Sequence, residues 1–578
     1  MESLDPQVEE KVNSWLSGNY DEETKAAIRE KLNDEKYEEL TEAFYKDLEF
    51  GTGGLRGIMG IGPNRVNKYS FGMATQGFSN FLKKNYPDEQ IKVAIAHDCR
   101  NNSEELSQVV ADVFSANNIH VYLFDGLRPT PELSFAIREL GCHGGVMLTA
   151  SHNPKEYNGY KAYDKNGCQL VSPQDQMVME EVQDIAGIDE VKFDGVDSNI
   201  ETIGKKIDEK YLNALFDLSI SREEIQRQKD LSIVFSPIHG TSGVLVPPAL
   251  KRYGFENVTY VKEQMSFDGD FPTVEYPNPE EKEALSMALE KAKQIDAELV
   301  MATDPDADRV GIAVKDNDDE WVLLNGNQTG TLIINYMLNA WKEADKLSGR
   351  EYIVKTIVTS YLIDRIAEHY GVDCYNTLTG FKYIGELMTK LEDQKQFIAG
   401  GEESYGYLIG DHVRDKDAIV STVIIAEMAA YYKDKGSSLY EALQNIYLQH
   451  GYFRERLVSV YKRGREGAAE IKQMMKNYRE NPPKELAGSK VITIKDYKTQ
   501  QTKNVATGDI SDIKLPVSNV LQFITEDGSI ISVRPSGTEP KIKFYCSVNT
   551  ELGNRANFDQ QTKQLESKMD TIIEELTG

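Results

Sequence analysis

The sequence predicts an α/β fold divided over several domains, with a smaller α+β unit at its C-terminal end. Short apolar runs of strand type alternate with helical patterns through most of the chain, which is the signature of strands covered by helices. One phrase, an apolar strand running into a polar loop and then a helix, occurs three times. Residues 91–96 lead into His97-Asp98-Cys99-Arg100, residues 231–235 into Ser236-Pro237-Ile238-His239-Gly240, and residues 352–358 into Thr359-Ser360. A chain of 578 residues is also too long for a single hydrophobic core.

In chain order, residues 1–45 read as an acidic helical extension, with Val8, Val12, Trp15 and Leu16, then Ala26, Ala27, Ile28 and Leu32 at helical spacing. Residues 46–225 hold strands at 91–96, 121–124 and 146–148 and a helix at 106–114. The second and third repeats of the phrase open units at 226–345 and 346–480. Polar stretches at 186–230, at 344–350 and after Asn481-Pro482-Pro483 are the expected linkers. The last unit, 481–578, shows strands at 490–494, 520–524, 529–533 and 542–548 and one closing helix near 557–576. Three related α/β domains and one α+β domain result.

The composition narrows the function. A formal net charge of −28 argues against nucleic acid as a partner, because backbone phosphates require a basic surface. Nothing approaches the ~20 consecutive apolar residues of a membrane span. The acidic start lacks the pattern of a secretory leader. Five cysteines, Cys99, Cys142, Cys168, Cys374 and Cys546, are scattered without metal-ligand spacing, as in a reduced cytoplasmic protein.

Four motifs carry chemistry. The run 143–150 is strand-like and breaks at Ser151-His152-Asn153-Pro154, and Lys161 follows with an Asn166-Gly167 pair that favours a type I′ turn. A serine at a strand end sits where open α/β sheets present chemistry, although the same four residues also suit a plain polar turn. Asp304-Pro305-Asp306-Ala307-Asp308-Arg309 lies between two strands. Carboxylates at alternate positions there can converge on one hard cation. Arg309 and Lys315 stand where an EF-hand requires Gly and Glu, which excludes that reading. A phosphatase using the first aspartate of an Asp-x-Asp pair remains open. Gly401-Glu402-Glu403-Ser404-Tyr405-Gly406 offers acceptors and a hydroxyl to vicinal sugar hydroxyls. Arg534-Pro535-Ser536-Gly537-Thr538 forms an anion nest suited to a phosphate that does not react. Arg56, in Gly51-Thr52-Gly53-Gly54-Leu55-Arg56-Gly57, places a further cation on a glycine-rich loop. No Gly-x-x-x-x-Gly-Lys-Ser/Thr is present, so ATP finds no support as a donor.

Together these motifs, in this order, resemble the α-D-phosphohexomutase superfamily from about residue 48 onward. Thr149-Ala150-Ser151-His152-Asn153-Pro154 is similar to its phosphoserine signature, the Asp304–Arg309 loop to its magnesium loop, Glu402-x-Ser404 to its sugar loop and Arg534–Thr538 to its phosphate loop. Glu402-Glu403-Ser404-Tyr405 and the lysine in Asp411-His412-Val413-Arg414-Asp415-Lys416 resemble the glucose-specific form, and the loop Thr379-Gly380-Phe381-Lys382 resembles the family's third-domain loop beside the sugar. Pro305 and Ala307 depart from the glycines common in the family, which implies a stiffer loop.

The resemblance implies four domains around a central cleft. It implies one Mg²⁺ per subunit held by Asp304, Asp306 and Asp308 together with Ser151, and glucose 1,6-bisphosphate as intermediate and activator. Ser151, Lys161, His152 and Arg56 would be catalytic. Arg309, Thr379, Gly380, Glu402, Ser404, Lys416, Arg534, Ser536, Gly537 and Thr538 would bind a small phosphosugar. A monomer or weak dimer is expected, interconverting glucose 1-phosphate and glucose 6-phosphate. Mannose or pentose phosphates, a metal-dependent phosphatase and a non-catalytic sugar-phosphate sensor are the alternatives.

Overall fold

A computed structural model describes residues 4–48, 54–462, 464–536 and 541–578. Three helices open the chain, Pro6–Ser17, Glu22–Asn33 and Tyr37–Phe44. Asp5 and Asp21 start the first two by accepting from the backbone N–H groups of Gln7 and Thr24. Val8, Val12, Trp15, Ile28, Leu40 and Phe44 face inward and meet Tyr69 of the following domain in a small separate core.

Three mixed sheets follow, and they share one plan. In the first, the parallel strands Ile200–Ile203, His120–Phe124, Lys92–His97 and Gly144–Leu148 lie side by side, and the antiparallel Tyr157–Asp164 and Gly54–Ile58 complete the edge. In the second, Val258–Tyr260, Ile233–Ser236 and Leu299–Thr303 are parallel, followed by the antiparallel Val310–Lys315 and Trp321–Leu324. In the third, Asp373–Thr377, Glu351–Thr356 and Gln396–Gly401 are parallel, followed by the antiparallel Tyr407–Ile409. Strands Gly144–Leu148 and Leu299–Thr303 are buried at every residue, which is why they read as continuous apolar runs rather than alternating ones. In each sheet the last parallel strand turns back through a short loop, and those loops carry the serine, aspartate and sugar motifs.

The C-terminal sheet is antiparallel throughout, in the order Tyr452–Tyr461, Lys541–Thr550, Ile530–Pro535, Leu521–Thr525, Ser489–Asp496, Gln501–Asn504 and Ile510–Asp512. Helix Phe558–Thr577 buries Leu565, Met569, Ile572 and Leu576.

Three expectations need correction. The C-terminal sheet begins at Tyr452, inside the segment 346–480 assigned to the third domain, because Tyr452–Tyr461 pairs along its whole length with Lys541–Thr550. The polar stretch 186–230 is not a plain linker. It folds into helices Lys205–Asp217 and Arg222–Arg227. Buried Glu427, from another helix, accepts hydrogen bonds from Ser219 Oγ (2.6 Å) and the N–H groups of Ile220 (3.0 Å) and Ser221 (3.1 Å). Finally, the turn at Asn166-Gly167 is not type I′. Gly167 alone of the pair has positive φ (75°), and its N–H closes on the Asp164 carbonyl, as in a type I turn followed by a left-handed residue.

Candidate active site

Ser151 follows the buried strand Gly144–Leu148 and sits at φ 53°, left-handed for a non-glycine residue. Its N–H is held by Thr149 Oγ1 at 2.8 Å. Its hydroxyl donates to Asp304 Oδ2 at 3.0 Å and lies 3.1 Å from His152 Nδ1. The first and second domains therefore meet at the predicted nucleophile.

The aspartate loop is braced on every side. Asp304 Oδ1 accepts the N–H groups of Asp308 (3.0 Å) and Arg309 (2.9 Å). The Pro305 carbonyl accepts the N–H and hydroxyl of Thr241 at 2.8 and 2.9 Å. Ala307 takes φ 55°, the conformation for which glycine is usual. The Ala307 carbonyl accepts the N–H of Ala418 at 3.0 Å, which ties the tip to the helix Ala418–Asp434.

Asp304, Asp306 and Asp308 are all buried, and one carboxylate oxygen from each lies within 4.8 Å of the others. Burial, then Asp308 and Asp306, push Asp304 well above the ordinary carboxylate range. Asp308 is instead held well below it: burial opposes this, but Lys416, Lys161 and Arg309 outweigh it. Asp306 Oδ1 and Asp308 Oδ1 are buried without a hydrogen-bond partner among the described residues. Unpaired buried carboxylate oxygens are costly, and a divalent cation among them would satisfy both. The donor set, all hard oxygen, fits Mg²⁺.

Cations ring this centre. Lys161 Nζ donates to Asp306 Oδ2 at 2.7 Å and to Asp308 Oδ2 at 3.2 Å. Lys416 Nζ lies 3.1 Å from Asp308 Oδ2, and its stem packs on Gly406, where a Cβ would come within 2.1 Å of Lys416 Cδ. Arg309 pairs with Glu280. Arg56 is exposed and donates to Asn153 Oδ1 at 2.9 Å. His152 is pushed well below the usual histidine range by burial, then by Arg309 and Arg56, so its ring is neutral.

The third sheet carries the loop expected from the sequence to face a sugar. Glu402 is buried and accepts the Gly380 N–H at 2.7 Å, which joins the sugar loop to the Thr379-Gly380 loop. Thr379 Oγ1 is buried without a hydrogen-bond partner among the described residues. Ser404 is partly exposed on the same tip. The Tyr405 carbonyl accepts the Val310 N–H at 3.0 Å, linking this tip to the aspartate hairpin. Arg534 stands opposite Lys543 in the C-terminal sheet, and the Ser536 N–H donates to the Lys541 carbonyl at 2.8 Å. Lys543 is pushed below its ordinary value by burial, then by the neighbouring cations Lys541 and Arg534. Gly537 and Thr538 lie outside the described residues.

Several neighbours escaped sequence reasoning. Thr130 gives its hydroxyl to Asp306 Oδ2 at 2.9 Å and its N–H to the Asp306 carbonyl at 2.9 Å. Glu280 is far from every motif in the chain, and Lys543 lies on strand Lys541–Thr550, just after the phosphate-loop motif. Arg100 ends a strand phrase that was visible in the sequence, but its contacts were not.

The chain belongs to the phosphoglucomutase/phosphomannomutase family. Its alpha/beta/alpha domains I, II and III match residues 47–188, 209–317 and 325–447, and its C-terminal domain matches 470–551. Among curated relatives, the phosphoglucomutase of Staphylococcus haemolyticus (strain JCSC1435) is 35% identical over 528 residues, covering 91% of this chain and 93% of that protein. That of Staphylococcus aureus (strain MRSA252) is 37% identical over 513 residues, covering 88% and 91%. Among solved structures, the open form of pp63/parafusin, a phosphoglucomutase from Paramecium, shares the fold with TM-score 0.66 at 19% identity, covering 91% of this chain and 96% of that one. A phosphoglucomutase/phosphomannomutase family protein from Burkholderia thailandensis gives 0.63 at 17%, covering 90% and 97%.

Proposed function

We propose that this protein interconverts glucose 1-phosphate and glucose 6-phosphate, using a phosphate carried on Ser151. The observation that carries the reading is the contact between Ser151 Oγ and Asp304 Oδ2, 3.0 Å across two domains. It places a nucleophile of one motif against the metal-type carboxylates of another. The relatives named phosphoglucomutase favour glucose among the phosphosugars.

Mg²⁺, one per subunit, held by Asp304, Asp306 and Asp308 beside Ser151, would draw charge from the phosphoryl group. The chain's own residues do the rest. A neutral serine is a poor nucleophile, so the resting protein carries the phosphate already. The phosphoryl group passes from Ser151 Oγ to a sugar hydroxyl, giving glucose 1,6-bisphosphate. After this turns over, its other phosphate returns to Ser151. His152 Nδ1, 3.1 Å from Oγ, is placed to relay the proton exchanged there, and its depressed basicity makes it give that proton up readily. Lys161, Arg56 and Arg309 stabilise charge on the transferring group, with Lys161 fixed as a cation by Asp306 and Asp308. Glu402, Ser404, Thr379 and Gly380 orient the sugar, with Lys416 beside them. Arg534 and Ser536, with Gly537 and Thr538, grip the phosphate that is not reacting.

The same reading divides the chain at 45, 225, 345 and, moved forward from 480, just before Tyr452. It has the protein act in the cytoplasm as a monomer or weak dimer, with glucose 1,6-bisphosphate as activator. Among the described residues no helix is long and apolar enough to cross a membrane. The phosphatase alternative differs in a testable way, since it would place the covalent phosphate on Asp304 or Asp306 rather than on Ser151.

A coupled assay tests the proposal. Ser151→Ala is expected to lose glucose 6-phosphate formation from glucose 1-phosphate by at least about 10⁴-fold while keeping its fold, in line with loss of a covalent carrier. Wild-type turnover in that variant, or a greater rate on mannose 1-phosphate or ribose 1-phosphate in the unmodified protein, would contradict it.

A further inference from the structure

Arg100 lies directly behind the serine loop, with a side chain shut off from solvent. Its guanidinium gathers four carbonyl groups of that loop. Nη2 donates to the Ser151 carbonyl at 2.7 Å and to that of Asn153. Nη1 donates to the carbonyls of Pro154 at 2.7 Å and Tyr157 at 2.9 Å. Nε faces Asp98 Oδ2 at 3.4 Å, in ion-pair contact. Asp98 is itself fixed by the Arg100 N–H (2.9 Å) and Ser103 Oγ (3.0 Å). Phe271, from the second domain, covers the guanidinium with its ring centre at 5.2 Å. The four Nη donors of the fork are directed at carbonyls while Nε keeps only its ion-pair contact with Asp98, a geometry that a lysine ammonium cannot reproduce.

Peptide planarity gives this clamp a consequence for the reaction. In a trans peptide the C=O of one residue and the N–H of the next point in opposite directions. By drawing the Ser151 carbonyl inward, Arg100 aims the His152 N–H away from itself. The held carbonyl belongs to the turn in which Ser151 takes φ 53°, a conformation that costs energy in any non-glycine residue and needs such support. We propose that Arg100, held by Asp98 and capped by Phe271, is the positioning residue that sets the left-handed turn at Ser151 and turns the His152 amide outward as a donor for the phosphoserine. Arg100 touches neither sugar nor phosphate. It acts through the loop, and this inference rests on Ser151 as the phosphate carrier.

The test uses full-length Arg100→Lys with Mg²⁺, glucose 1-phosphate and glucose 1,6-bisphosphate. A loop displaced by about 1 Å is expected to lower kcat by about 100-fold. KM for glucose 1-phosphate should stay within about threefold, since the sugar-side residues lie on other loops. The ³¹P resonance of the phosphoserine should shift, and added guanidinium should restore part of kcat in Arg100→Ala. If the lysine variant does not fold, Asp98→Asn gives the same reading, with an expected loss in kcat of about tenfold at unchanged KM. A folded Arg100→Lys or Asp98→Asn with wild-type kcat and an unmoved ³¹P signal overturns the proposal. So does a loss in which KM rises as far as kcat falls. If the wild-type protein shows no phosphoserine resonance, the function proposed for Ser151 fails instead, and the two failures are thus distinct.

Discussion

Gly406 shows how closely single residues are set in this site. Its missing side chain leaves the space taken by the Lys416 stem, whose ammonium reaches Asp308 at 3.1 Å. Gly406→Ala puts a methyl group 2.1 Å from Lys416 Cδ, so the lysine must swing and the Asp308 contact is lost. The expected result is a fall in kcat/KM of at least about tenfold with Tm changed by only a few degrees, since the side chain that yields is flexible. Steady-state kinetics and a melting curve on one preparation decide it. A wild-type kcat/KM would show that Lys416 does not need its present position. The sequence revealed Lys416 through its family motif, but the pressure of Gly406 on it becomes visible only when strand Gln396–Gly401 is seen to turn back through 402–406.

At the scale of elements, the three related sheets explain why the site was largely legible. Each ends its parallel run in an antiparallel hairpin, and each hairpin tip carries one motif, so the repeats bring the serine, the aspartates and the sugar loop to equivalent places. The recurring strand phrases marked the first parallel strand of each sheet. What they hid was pairing at a distance. Strand Tyr452–Tyr461 is apolar only in part and precedes a polar, proline-containing stretch, so nothing local shows that its partner lies at Lys541–Thr550. The carboxylate of Glu427 that anchors 219–221 is hidden for the same reason. Arg100 and Thr130 are ordinary polar residues until the loop after Lys92–His97 and the helix Thr130–Glu139 meet the serine and aspartate loops.

The junction of the third and fourth units has its own titration. Glu455, on strand Tyr452–Tyr461, accepts the hydroxyl of Ser360 and is pushed up to about 7, chiefly by burial. Below the ordinary glutamate value of 4.5 both folded and unfolded chains hold this proton. Between 4.5 and about 7 only the folded chain does, so stability falls as pH rises through that window, and above it the cost is complete. The full shift corresponds to roughly 3 kcal/mol, reduced by the part of the side chain that meets solvent. Glu455→Gln is accordingly expected to raise Tm at pH 8 and to leave it unchanged at pH 4.5. Equal effects at both pH values would assign the change to packing rather than to the proton.

For the whole molecule, the net charge of −28 opposes any anionic substrate, and the cleft answers it locally. Arg56, Lys161, Arg309 and Lys416 surround three aspartates, and Arg534 with Lys543 adds a second basic cluster on the C-terminal sheet. These charges come from all four sheets, so the site exists only in the assembled chain. That assembly gives Ser151 its partners: Asp304 from the second domain, His152 beside it and Arg100 behind its loop. The most direct measurement is to mix dephosphorylated protein with glucose 1,6-bisphosphate and Mg²⁺, then map the phosphate by peptide mass spectrometry. One phosphate on the peptide bearing Ser151, with release of glucose monophosphate in equal amount, is the expected result. Phosphate on Asp304 or Asp306, or none at all, would contradict it.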